Sequence, residues 1–125
     1  MSWDEEQKAI EIEFLQSWER MEIFFSGEDM PWLTQMLPLI RNMRVRGYDR
    51  NLRAGQSMIT LIVSRSREHG LRDDQPSVAF NITAQGGLSA HLRGEHVSML
   101  VTSDRVETTP EIEELLLPLL AYPID

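Results

Sequence analysis

Cysteine is absent from the 125 residues, and lysine is nearly so, since Lys8 is the only one of twelve basic residues that is not arginine. The first absence excludes disulfides, thiolate zinc sites and cysteine nucleophiles. No run approaches the roughly 20 apolar residues of a membrane-spanning helix. The start, Met1-Ser2-Trp3-Asp4-Glu5-Glu6, lacks the positive charge and apolar stretch of a signal peptide. A soluble cytoplasmic protein with no membrane partner is expected. Walker and dinucleotide glycine patterns are missing, as is the Gly-x-Ser-x-Gly turn that presents a serine nucleophile. Aromatic residues make up 7% of the chain, and Tyr48 is the only one between Arg41 and Arg72, too few for a base-stacking platform.

What is present is a segregated charge pattern. Eight arginines lie between Arg41 and Arg72 against only Asp49 and Glu68, whereas residues 1–30 carry nine acids against Lys8 and Arg20, in a chain of net charge −8. The guanidinium fork favours bidentate pairing with carboxylate or phosphate. Either the chain's own carboxylates or an outside anion therefore meets the middle of the sequence. The candidate partner or anion-binding residues are Arg44, Arg46, Arg50, Arg53, Arg65 and Arg67.

A single α+β domain over residues 1–125 is expected. Ser2-Trp3-Asp4-Glu5 fits a capping box, and apolar residues at Trp3, Ile10, Phe14, Met21 and Phe24, with Leu15, Trp18 and Phe25 widening the stripe, carry a helical period over about 3–25, with Gly27 as its stop. Pro31 near a first helical position opens a second helix over about 31–46, which Pro38 should kink or split. Met58-Ile59-Thr60-Leu61-Ile62-Val63 suits a buried strand and a buried helix equally by periodicity. The Arg65, Arg67, His69, Gly70 ending favours a helix over about 56–69.

From Ser77 the period changes to two, giving a three-stranded antiparallel meander over about 77–83, 88–92 and 96–102. A Gln85-Gly86-Gly87 turn would pair Ile82 with Ala90. An Arg93-Gly94 turn would pair Ala90 with Val97 and set His91 across from His96. Thr109 and Pro110 then start a C-terminal helix over about 110–121. Its leucines exceed what one buried face needs, so Leu116, Leu117, Leu119, Leu120 and Tyr122 are the candidate apolar interface.

No catalytic set emerges. His91 and His96 are two possible ligands where a catalytic zinc needs three. Ser64, Ser66, His69, Asp73 and Asp74 lie near one another in sequence without the turn that would activate a serine. No enzyme activity, cofactor or metal is expected. In size, acidity and mix of elements the chain is loosely similar to secretion chaperones and toxin-neutralising immunity proteins, at the level of fold class and with no motif behind the likeness. The expected function is a non-catalytic protein-interaction module of adaptor, chaperone or immunity-protein type, partnered by another protein chain and foremost by itself. The alternative is anion or nucleic-acid binding through the Arg41 to Arg72 block.

Overall fold

A computed structural model describes residues 3–27, 30–66, 75–94 and 97–121. Helix α1 (Trp3–Phe25) leads through a 3₁₀ helix (Pro31–Met36) into α2 (Leu37–Val45). A short 3₁₀ turn (Tyr48–Arg50) precedes five strands: β1 (Arg53–Ser57), β2 (Thr60–Ser64), β3 (Ser77–Ile82), β4 (Leu88–Arg93) and β5 (Ser98–Ser103). Helix α3 (Pro110–Leu120) closes the described chain. The fold is α+β as the sequence suggests, but the sheet has five strands rather than three, in the order β1-β2-β3-β4-β5.

The helix expected over 56–69 is not formed. Residues 53–64 make the β1–β2 hairpin, turning at Met58 and Ile59 with Ser57 paired to Thr60. Ile59, Thr60, Ile62 and Val63 are β-branched, and such side chains fit a pleated surface better than a crowded helical one. As an interior strand β2 buries both faces, Leu61 and Val63 toward the helices and Ile62 and Ser64 on the other side. The run therefore shows no alternation to read. Of the cues taken for a helix end, Arg65 directly follows β2, and Arg67, His69 and Gly70 lie outside the described residues.

Helix α1 buries Ile10, Phe14, Ser17, Trp18, Met21 and Phe25, spaced by three and four along one face. Burying an aromatic or aliphatic side chain of this kind contributes about 1.5–3 kcal/mol. Trp18 also donates its indole N–H to the Leu52 carbonyl at 2.8 Å, so the largest core side chain leaves no polar atom unpaired. Gly27 ends the helical path at φ 72°, and a Cβ there would lie 2.7 Å from the Met30 carbonyl oxygen. Only glycine fits without a shift. Pro38 divides the second helical segment as its missing N–H requires: the Leu37 amide, not residue 38, donates to the Thr34 carbonyl, and an α-helix continues from there.

The sheet face made by Ala54, Leu61, Val63, Val78, Phe80, Leu88, Ala90 and Leu92 packs into one core with Trp18, Leu39, Met43 and the α3 residues Ile112, Leu115, Leu116 and Leu119. The β3–β4 turn is centred one residue earlier than the sequence suggests and the β4–β5 turn two residues later, and the registers move with them. Thr83 and Gly87 close the β3–β4 turn around Ala84, Gln85 and Gly86, whose φ of 85° supplies the left-handed step. Ile82 consequently pairs with Leu88, and Phe80 with Ala90. The β4–β5 connection closes with the Gly94 amide donating to the Val97 carbonyl, which pairs Ala90 with Val101 and Leu92 with Met99.

Candidate functional site

The arginines of the central block go to different places. Arg44, at the end of α2, puts Nη1 3.4 Å from Glu22 Oε2 of α1 and donates through Nε to Asp49 Oδ2 at 3.2 Å. One guanidinium thus ties α1, α2 and the following 3₁₀ turn, and it neutralises the buried Asp49. Arg46 pairs with Glu113 in the first turn of α3. Beside that pair, burial first and the Glu113 charge second hold the Tyr48 phenol above its usual pKa.

Arg53 is half-buried next to α1, where desolvation and then the Arg20 charge lower its pKa and Glu13 opposes them. Arg65 donates through Nη1 to the Leu120 carbonyl at 3.2 Å, at the end of α3. Its Nε is buried without a partner, and burial lowers its pKa. Arg50 is exposed. Arg67 lies outside the described residues.

Of two clefts lined by described residues, neither is lined by an arginine. The larger, about 670 Å³, is formed by Thr83, Gln85, Gly87, Thr102, Ser103 and Asp104. The smaller, about 210 Å³, is a mostly apolar notch whose lining includes Phe25, Trp32, Leu33, Met36, Ile59 and Ile82.

The α3 leucines are mostly spent on the core. Leu116 and Leu119 are fully buried, Leu120 is half-buried, and Leu117 stands exposed. Tyr122 lies outside the described residues. The register places Leu100, not His96, opposite His91, whose Nε2 meets Ser98 Oγ at 2.8 Å. Among the described residues no three His, Cys, Asp or Glu side chains gather at one point. Ser64 and Ser66 follow one another at the end of β2, where the Ser66 amide donates to Ser64 Oγ at 3.3 Å, while His69, Asp73 and Asp74 lie outside the described residues.

The feature that sequence reasoning missed is the contrast between the two margins of the sheet. On β1 the Ala54 amide donates to Ser17 Oγ of α1 at 3.0 Å, so a helix covers that edge at Ala54. On β5 no described element covers the edge, and Val97, Met99 and Leu100 are exposed, Met99 at 52% and Leu100 at 67%. Natural sheets usually blunt an open edge with charge, proline or a bulge. Ser98–Ser103 carries neither charge nor proline. That six-residue uncharged stretch in a chain that is 26% charged was the available signal.

Comparison with protein-family models, curated proteins and solved structures gives no match. Among the described residues no helix is long and apolar enough to cross a membrane.

Proposed function

We propose that this chain is a non-catalytic protein-interaction module that works as a homodimer. The observation that carries the reading is how the arginines are used. Arg44 is held between Glu22 and Asp49, Arg46 by Glu113, and Arg65 by the Leu120 carbonyl. These groups point to three separate elements, α1, the 3₁₀ turn and α3, rather than converging on a cleft. Three of the candidate donors are thus engaged inside the molecule while Arg50 is exposed, and the exposed surface includes apolar side chains: Val97, Met99 and Leu100 by the sheet and Leu117 on α3.

Multi-angle light scattering and sedimentation across a hundredfold concentration range test this directly. A dimer mass that persists into the low concentrations is expected, together with no salt-dependent retention on heparin or RNA. A strict monomer at the highest concentration would remove the homodimer. Retention that falls steeply with salt would favour the anion-binding alternative instead.

A further inference from the structure

We infer that two copies of this chain pair through their β5 strands, antiparallel about a two-fold axis at Leu100, to form one continuous ten-stranded sheet. This rests on the interaction-module reading and names the surface and the partner.

Hydrogen-bond alternation fixes which backbone groups are free. In an antiparallel ladder, bonded and non-bonded residue pairs alternate. The Gly94 amide bonded to the Val97 carbonyl sets the phase for β4–β5. The bonded pairs are then Leu92 with Met99, Ala90 with Val101 and Leu88 with Ser103. Ser98, Leu100 and Thr102 direct their N–H and C=O groups away from the sheet. The Thr83 amide bonded to the Gly87 carbonyl sets the phase for β3–β4 independently, and the two agree at β4. Carried on through β2, the same alternation turns the Ala54 N–H outward on β1, where it is found bonded to Ser17.

The free groups select the register. A second β5 strand meets all three outward residues only if Leu100 faces Leu100 of the other copy and Ser98 faces Thr102. Each of these three pairs exchanges two hydrogen bonds. Sliding the strands by two residues leaves one outward residue of each copy unmatched.

The side chains agree with this choice. Read outward from Leu100, β5 is the same in both directions by type: aliphatic Met99 and Val101, then hydroxyl-bearing Ser98 and Thr102. In the pairing Met99 meets Val101 on the helix side, while leucine meets leucine on the opposite face. A molecule with net charge −8 repels its own copy over most of its surface. This strand is a place where two copies can touch without opposing like charges, and cross-strand aliphatic pairs contribute about 0.2–1 kcal/mol each. Covering Leu100 and Met99 adds the apolar burial that the isolated chain forgoes.

The absence of natural cysteine makes the register measurable. Met99 and Val101 of the other copy form a non-bonded pair, with Cα atoms about 4.5 Å apart and so within disulfide reach. Met99 to Met99, or Val101 to Val101, is about 8 Å by strand geometry, beyond that reach. Under mild oxidation Met99→Cys chains alone and Val101→Cys chains alone are expected to stay uncrosslinked, and an equimolar mixture to yield a covalent dimer. Leu100→Asp, at an exposed position, is expected to keep the circular dichroism and melting of the parent while weakening self-association at least about tenfold.

If the parent chain is a dimer but the mixture does not crosslink and Leu100→Asp leaves the mass unchanged, the copies meet elsewhere. The β5 pairing is then overturned and the homodimer stands. A parent chain that is monomeric throughout overturns both.

Discussion

The Ser17 hydroxyl accepts the Ala54 amide proton at 3.0 Å and donates its own proton to the Phe14 carbonyl at 2.6 Å. A serine in the middle of an α-helix is ordinarily neutral or mildly unfavourable, since its side chain competes with the backbone ladder. Here it is buried and serves as the acceptor that a strand edge lacks. Ser17→Ala removes that acceptor and leaves a buried N–H unpaired, a loss of about 1–3 kcal/mol. Denaturant unfolding measures it, and the exposed β1 edge should also raise the tendency to aggregate.

Arg44 is the joint between three elements, so its removal should cost more than a surface ion pair. Exposed pairs contribute about 0–1 kcal/mol. Arg44→Met also leaves Asp49 buried without its cation, which should bring the loss to about 2 kcal/mol or more. Glu22→Gln, at the more exposed end of the network, should cost less than 1 kcal/mol. A double-mutant cycle between residues 44 and 22 should then return a small coupling, and one between 44 and 49 a larger one.

Met58 stands at φ 55°, the left-handed region, at an exposed turn position. A side chain there costs about 1–2 kcal/mol relative to glycine, partly offset by the greater freedom glycine has in the unfolded chain. Met58→Gly should therefore stabilise the protein by about 0.5–1 kcal/mol, read as a higher denaturation midpoint with unchanged slope.

Tyr48 provides a pH signature. Its folded-state pKa is raised, by burial and then by Glu113, so the unfolded chain releases the phenol proton first as pH increases. Its contribution to stability is complete below the usual phenol value of about 10 and is lost as pH rises from there through the folded pKa. Absorbance titration should show a late phenol step. Tyr48→Phe should abolish that late step and flatten the alkaline loss of stability.

The meander shows what a sequence can and cannot specify. Centring the β3–β4 turn one residue too late shifts the pairing by two, and the β4–β5 turn shifts it by four. Every side chain nevertheless stays on its expected face, because the face alternates with period two. Phe80, Leu88, Ala90 and Leu92 were legible as one buried face for that reason, while their partners were not. The β2 run was illegible because burial on both sides erases alternation. Arg44 and Arg46 meet carboxylates of the same chain, one of the two outcomes the charge pattern allowed, whereas Arg65 meets a carbonyl and Arg50 is exposed. Which carboxylate each would take depended on the packing of α1, α2 and α3. The α3 leucines were over-read as surface because a five-stranded sheet has more apolar area to cover than the three strands expected.

Helix α1 covers one margin of the sheet at Ala54, and the consequence concerns how far assembly can go. A sheet with both margins free can add copies end to end without limit, as fibres do, whereas a sheet with a single free margin is satisfied by one neighbour. With copies pairing through β5 as proposed, the bond between Ser17 and Ala54 would act as a terminator, leaving the uncharged strand as the margin at which a copy adds.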